Sequence, residues 1–408
     1  MTTRTNRLAL ASVFFTFFVD NLCWSIVFPI FAPYFLDPNN QLFGPDVLLA
    51  TRTTILGLFL MAFSLGQFFG APVLGEFADR HGRKSALAIS VFFTVIGLGL
   101  SAWSMQVGNL WLLFISRLVT GIFAGNLSIC LACVTDLSPD EKSKVKHFGT
   151  MSFLAGLAFV GGAFAGGKCS DPTISSWFTP YFPLWIATVL TVLNFLFILF
   201  AFRETAHVDP HVKYNWLEGF TNLQKALKTE KIKRIYTIYF FFLFSWTLLF
   251  QFTPVLVVEK FAFTSTNIGD LAIFMGLCWA IGAGYLNKML LRRFPPFAVL
   301  EVCLLCFTVL CGLVIFPKHL WGAMVIVGCC VTLGGLSWPL CTNLISNLAP
   351  RQVQGKILGM SQSVQSLAMA IAPVIGGIAY HAKPGLPFLI GAGTSLIASI
   401  IYFTAVKE

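Results

Sequence analysis

Charge is what this 408-residue chain has least of: Asp, Glu, Lys and Arg make up 11% of it, against roughly 25% in a water-soluble protein. That deficit excludes an ordinary soluble globule. A hydrophobic content of 57% also excludes a disordered chain, which needs low hydrophobicity and high charge. Catalytic patterns are missing as well. No glycine-rich loop is followed by Lys-Ser or Lys-Thr, so the chain has no phosphate cradle for an ATP-driven pump. The six histidines fall mostly near segment ends or in loops. No metal cluster or nucleophile motif stands out, so neither an enzyme nor a cofactor nor a metal is expected. The 11 cysteines are odd in number and lie mostly inside apolar runs, which argues against a disulfide framework. Cys303 and Cys306 have the spacing of a redox or metal pair, but they sit in the middle of an apolar run, where packing is the simpler reading.

What is present is phenylalanine, 43 residues of it, in apolar runs long enough to cross about 30 Å of hydrocarbon. About twelve such runs emerge, at 8–35, 53–74, 86–106, 110–135, 147–167, 183–202, 235–258, 267–288, 297–316, 320–347, 357–380 and 386–405. Open strands leave backbone groups unsatisfied in lipid, so the runs are helices. The first follows Arg4 and Arg7 but is too long for a signal peptide and lacks a small-residue cleavage site. The sequence therefore predicts an all-α protein with twelve transmembrane helices. With both termini on the cytoplasmic side and the runs alternating, inside segments carry 21 Lys and Arg and outside segments only 5, with Arg117 left in the membrane. That asymmetry is the positive-inside pattern of a multi-pass plasma-membrane protein, of bacterial inner-membrane type given the short termini and loops. It accounts for the net charge of +10 without nucleic acid as a partner.

A polar stretch at 203–234 separates residues 1–202 from 235–408, with six runs on each side. Its basic amphipathic pattern predicts a linker helix on the anionic inner leaflet; the sharper alternative is a regulatory partner site. The halves also repeat. An offset of 210 carries Gly149 onto Gly359, Gly166–Gly167 onto Gly376–Gly377, Gly125 onto Gly335 and Leu110–Trp111 onto Leu320–Trp321. Near an offset of 212, "ILG" at 55–57 faces "NIG" at 267–269. Two pseudo-symmetric six-helix bundles joined by one long inside linker form a transporter architecture.

Between the second and third runs the chain reads "GEFADRHGRKSAL". With Gly75, Asp79, Arg80, Gly82, Arg83 and Lys84 in place, this loop resembles the signature loop of the major facilitator superfamily. Gly75 would permit close helix packing and Gly82 a tight turn. Asp79 would cap the next helix or pair with an Arg across the halves as a cytoplasmic gate. The second half holds a degraded copy, "GYLNKMLLRRF" at 284–294, without the Asp. Arg117, followed by Gly121, Gly125 and Ser128, looks like the family's second signature, an arginine in the fourth helix beside a small-residue groove. The fifth run resembles the antiporter signature at Gly156, Gly162, Gly166 and Gly167. Ala163 stands where that signature has proline, and the proline occurs instead in the repeat, as Pro373. "FRET" at 202–205 and "FFVDNLCWSIVFPIFAPYF" in the first run also resemble the twelve-helix drug:proton antiporter branch that includes the tetracycline exporters. The resemblance implies proton-coupled movement of a small organic molecule by alternating access, with efflux favoured and the transporter working as a monomer. The alternative is import of a polar, carboxylate-bearing metabolite such as a siderophore or organic acid.

Asp20 is the acid placed deepest in the first run, about 18 Å from its cytoplasmic end at 1.5 Å per residue. Arg117 lies about 10 Å from the outer end of the fourth, so the two share a level and are expected to approach each other. Such an intramembrane acid is a functional residue by default. Protonating it would free Arg117 for an anionic group; a static ion pair and direct substrate binding by Asp20 are the other two readings. Further cavity candidates are Asn21 and Trp24 beside Asp20, then Tyr239, Trp246 and Gln251, then Trp338 and Asn343. A polar stripe of Gln362, Gln365 and Ser366 adds to them. For each aromatic, plain packing is the alternative.

Overall fold

In a computed structural model, described for residues 3–44, 46–138, 140–204, 230–347 and 354–406, helix dominates and no strand occurs among those residues. Among the described residues, twelve helices are long and apolar enough to span a membrane. They are α1 (Leu8–Leu36), α2 (Leu49–His81), α3 (Arg83–Gln106), α4 (Leu110–Asp136), α5 (Lys146–Lys168) and α6 (Phe182–Ala201), then α7 (Lys233–Phe261), α8 (Ser265–Leu291), α9 (Pro296–Leu313), α10 (Leu320–Ile345), α11 (Ser361–Ala382) and α12 (Leu386–Thr404). Hydropathy alone places these spans because lipid leaves the backbone no partner but itself. Most of the linker segment, 205–229, lies outside the described residues, and with it the amphipathic helix expected there.

The pairing of helices repeats. In the first half α1 packs on α5 and α6, and α3 on α4 and α6; in the second half α7 packs on α11 and α12, and α9 on α10 and α12. The chain forms two compact units: residues 1–46, 62–216 and 264–273 make one, and 47–61, 217–263 and 274–408 the other. The start of α2 thus groups with the second unit and the start of α8 with the first.

Among the described residues, three helices are interrupted. α1 breaks at Val27, ahead of Pro29, whose ring removes a backbone donor. α8 carries a π-helical stretch at Ile281–Leu286. The fourth run, expected to be continuous, breaks between Ile122 and Asn126. All eleven cysteines are free, and Cys130 and Cys133 pack into the apolar core of the first unit with Phe17, Leu87, Val91 and Phe202.

Candidate functional site

The break in α4 organises the site of the first unit. A helix interrupted in lipid must have its freed carbonyls bonded by side chains. Here the Phe123 carbonyl accepts from the Ser90 hydroxyl of α3, and the Ala124 carbonyl accepts from Gln67 Nε2 of α2 at 3.4 Å. Ser90 also bonds Asn126 Oδ1. Asn126 opens the second half of α4, and its amide Nδ2 donates to Asp20 Oδ1 at 3.2 Å. Asp20 is therefore tied through Asn126 to the break in α4 and to α3.

Beside this pair lies a cavity of about 10 Å³ lined by Asp20, Cys23, Thr94, Asn126, Thr191 and Asn194 among others, room for one water molecule. Thr94 and Thr191 donate their hydroxyl hydrogens to the carbonyls of Ser90 and Ala187 at 2.9 and 2.7 Å. Cys23 Sγ takes one lone pair of Thr191 at 3.4 Å, and the lone pairs left on the two hydroxyls face a donor in the cavity. Thr16 donates to Asn194 Oδ1 at 2.8 Å across α1 and α6. Asn126, Thr94, Thr191 and Asn194 line this cavity and were missed by the sequence reading. The available signal was the small set of polar side chains inside apolar runs.

Arg117 is buried, at 6% exposure. Its guanidinium lies over the Phe63 ring at 4.7 Å and the Phe31 ring at 5.6 Å from the ring centres, a cation–π arrangement. Backbone contact between α2 and α4 brings Phe63 there. A Cβ on Gly66, Gly70 or Gly121 would overlap the backbone of the other helix. The expected approach of Asp20 to Arg117 is not what the structure holds. Asp20 turns to Asn126, and no ion pair joins these two described residues. Equal depth on two helices does not set which face each side chain takes.

The other candidates divide. Asn21 Nδ2 donates to the Phe17 carbonyl of its own helix at 2.8 Å, and Trp24 is 41% exposed, its ring 6.1 Å from that of Phe159. In the second unit an aromatic cluster joins α7, α8 and α10. Trp279 lies 4.8 Å from Trp246 and 5.6 Å from Trp338, and Tyr239 meets Trp338 edge-on at 6.4 Å. Trp279 was not singled out from the sequence. Gln251 Oε1 in α7 and Ser366 Oγ in α11 are buried with no hydrogen-bond partner among the described residues. Gln365 Nε2 reaches Met369 Sδ at 3.8 Å; Gln362 is half-buried and Asn343 exposed.

In the loop between α2 and α3, Gly82 adopts φ +93°, as its tight turn requires. A Cβ on Gly75 would meet nothing within 4 Å, so close packing is not what that glycine provides. Asp79 Oδ1 pairs with Arg83 Nη1 at 2.6 Å within its own segment, and Arg83 Nε reaches Asp136 at the end of α4 at 3.4 Å. The capping role belongs instead to Glu204, which accepts from the backbone amides of Arg83 and Lys84 at 2.8 and 3.1 Å. Lys84 Nζ donates to the Leu199 carbonyl at 2.9 Å. Arg80 is half-buried beside them. Among the α5 glycines, Gly162 and Gly166 lie against the α1 backbone and Gly167 against α8, while Gly156 faces open space.

Known proteins share this architecture. A tetracycline resistance protein of class E from Escherichia coli is 26% identical over 361 residues, covering 85% of this chain and 84% of that protein. The quinolone resistance protein NorA of Staphylococcus aureus is 25% identical over 400 residues, 95% of this chain and 94% of that protein. The crystal structure of the human organic anion transporter MFSD10 superposes with a TM-score of 0.72 at 20% identity, covering 98% of this chain and all of that one. The model of the Major Facilitator Superfamily matches residues 13–334 and 290–408. By that match the chain belongs to the Major Facilitator Superfamily and is a membrane transporter, not an enzyme.

Proposed function

We propose that the chain exports a small organic molecule in exchange for protons, with Asp20 as the proton-binding group. The observation that carries this reading is the hydrogen bond from Asn126 to Asp20 at the break in α4. A carboxylate accepts the Asn126 amide; a protonated carboxyl has a donor of its own and is a weaker acceptor. Proton uptake therefore loosens Asn126, and with it the joint between the two halves of α4. The first half of that helix carries Arg117. Coupling then runs through the helix break rather than through a direct Asp20–Arg117 ion pair. The water-sized cavity offers the proton a hydrogen-bonded way in, from a water held by the Thr94 and Thr191 hydroxyls.

In this reading the two six-helix halves, 1–202 and 235–408, alternate access to the site, and the protein works as a monomer in a bacterial-type plasma membrane with both termini cytoplasmic. Export is favoured because the tetracycline and quinolone resistance proteins are among the relatives. Arg117 supports a second reading. A buried guanidinium over two ring faces suits a carboxylate, and one structural neighbour is an organic anion transporter. Import of a carboxylate-bearing metabolite, a siderophore or organic acid, is that alternative.

The test uses purified protein in liposomes with an internal pH dye. Drugs, organic acids and siderophores are added one at a time to wild type and Asp20→Asn. Substrate-driven proton movement that vanishes in Asp20→Asn supports the proposal, and its sign separates exchange from co-transport. Substrate flux without proton movement, unchanged in Asp20→Asn, rejects it.

A further inference from the structure

Two helix crossings in this molecule are copies of each other down to individual atoms. In the second unit α2 crosses α11. Gly57 lies against the Pro373 carbonyl and Gly377, so tightly that a Cβ has no room. One turn earlier, Thr54 Oγ1 lies 3.4 Å from the Gly377 carbonyl and 3.4 Å from His381 Nδ1. In the first unit α8 crosses α5. Gly269 lies against Gly167, again with no room for a Cβ. Thr266 Oγ1 lies 3.4 Å from the Gly167 carbonyl and 2.7 Å from Asp171 Oδ2.

The sequence offsets carry one set onto the other. Adding 212 takes Thr54 to Thr266 and Gly57 to Gly269; adding 210 takes Gly167 to Gly377 and Asp171 to His381. Thus each crossing has a glycine pair, a threonine that bonds the glycine carbonyl, and a titratable side chain on that threonine. The titratable group is the one part that differs: a carboxylate in one copy, an imidazole in the other.

We propose that Thr54 and Thr266 are positioning residues of two matched latches, and that His381 and Asp171 make the latches respond to acid in opposite directions. The inference rests on the alternating-access reading, since each crossing joins a helix of one repeat to a helix of the other and a transport cycle must break and remake both.

The opposite signs follow from donor counting at one latch and from loss of charge at the other. Thr54 has a single hydroxyl hydrogen. A neutral imidazole that presents Nδ1 as acceptor competes for it with the Gly377 carbonyl and with the Ala50 carbonyl, 3.2 Å away in the same helix. Protonated His381 has N–H on both ring nitrogens. It donates to Thr54 Oγ1, which adds a bond across the crossing, and leaves the hydroxyl hydrogen to the Gly377 and Ala50 carbonyls, so acid tightens the α2–α11 latch. At the other latch the single Thr266 hydrogen goes to the Asp171 carboxylate at 2.7 Å, and protonation exchanges that charge-assisted bond for weaker neutral ones, so acid loosens the α5–α8 latch. An imidazole takes up a proton under milder acid than a carboxylate, so the tightening comes first.

His381 is exposed and within reach of protons from bulk water. The charged groups on elements packed there are Arg52 at the start of α2, Glu259 and Lys260 at the end of α7, and Lys383 just beyond α11. Arg52 Nε is held by the Val47 carbonyl, Glu259 by the Tyr380 hydroxyl and Lys260 by the Ile315 carbonyl. At the other latch, Lys168 of α5 pairs with Asp270 of α8 at 3.4 Å.

Hydrogen–deuterium exchange on the full chain, corrected for intrinsic rates, reads each latch separately and needs no substrate. Between pH 7.5 and 5.5, protection of segments 47–61 and 370–383 in wild type is expected to rise about fivefold, the worth of one hydrogen bond. Segments 163–173 and 264–273 are expected to stay level. His381→Gln, an exposed and fold-neutral change, abolishes the rise. Thr54→Val lowers protection and flattens the profile, while Thr54→Ser restores both. A flat wild-type profile, or a rise that persists in His381→Gln, overturns the assignment. The liposome assay with Asp20→Asn fails or succeeds independently, so loss of the coupling reading is distinguishable from loss of this one.

Discussion

Glu204 caps the helix that begins at Arg83: its two carboxylate oxygens accept the first two backbone amides of α3 at 2.8 and 3.1 Å. The four leading amides of a helix have no partner within it, and a negative charge there also opposes the positive end of the helix dipole. Both benefits come from a residue just beyond the end of α6. The capping contact therefore closes α6 onto α3.

Removing that contact has a defined consequence. Glu204→Ala is expected to cost about 1–2 kcal/mol, the usual loss for a helix cap, and Glu204→Gln less, since the amide keeps one acceptor. Thermal unfolding of the purified protein in detergent should rank them wild type, Gln, Ala. Equal midpoints would show that α3 does not depend on the cap.

Asn126→Leu keeps the volume of the side chain but removes both of its hydrogen bonds. Asp20 loses its amide donor and Ser90 one of its two acceptors. Substrate-driven proton movement in liposomes is expected to fall at least about tenfold, the effect of one buried charge-assisted hydrogen bond. Ser90→Ala, which removes the bond to Phe123 as well, should lower it too. Unchanged coupling in Asn126→Leu would separate Asp20 from α4.

Arg117 rests on ring faces, so its planar guanidinium matters beyond its charge. Arg117→Lys keeps the charge and loses the stacking geometry, and transport should fall by about an order of magnitude. Phe63→Tyr retains a ring face and should transport nearly as wild type. Phe63→Leu should resemble Arg117→Lys more weakly, by about 0.5–2 kcal/mol. Initial-rate measurements on the four proteins decide.

Asp171 gives the loop after α5 a pH dependence of known sign. Burial pushes its carboxyl up, but hydrogen bonds from Thr173 and Thr266 outweigh burial and hold it below the usual carboxylate range. The unfolded group titrates near 3.9. The stabilisation is therefore complete above that value and is lost as pH falls through the lower, folded value. Hydrogen–deuterium exchange of 169–181, corrected for intrinsic rates, should be slow at pH 5 and accelerate as pH drops toward 2. In Asp171→Asn, which starts without the charged acceptor, the acceleration should be largely absent.

Gly334 lies against the Trp246 ring with no room for a Cβ. Gly334→Val is expected to displace Trp246 from Trp279 and Phe250, visible as a change in near-UV circular dichroism. An unchanged spectrum would mean that the aromatic cluster accommodates the methyl groups elsewhere.

The spans were legible because hydropathy over about twenty residues is a bulk property, and lipid enforces it. Gly82 was legible because a turn with positive φ leaves little choice of residue. The site was legible only as an inventory. Asp20 and Arg117 were identified as intramembrane charges, yet their partners, Asn126 for one and the Phe63 and Phe31 rings for the other, depend on the rotation of each helix. An apolar run with few polar residues has no periodicity to fix that rotation. The α4 break was hidden for a related reason: "GIFAGN" reads as a small-residue groove until Ser90 and Gln67 are seen bonding its carbonyls. The repeat offsets were present in the sequence, but nothing in them said that the matched glycines of different helices face each other.

Those four glycines carry a thermodynamic consequence of their own. Where Gly57 meets Gly377 and Gly167 meets Gly269, the touching surfaces are bare backbone. Closing such a surface freezes no side-chain torsions, whereas every long side chain packed into an interface gives up rotamer freedom worth up to about 2 kcal/mol. Contact and separation at these crossings are therefore nearly free of a side-chain entropy term, and the balance between them is set by a few weak hydrogen bonds at the edge.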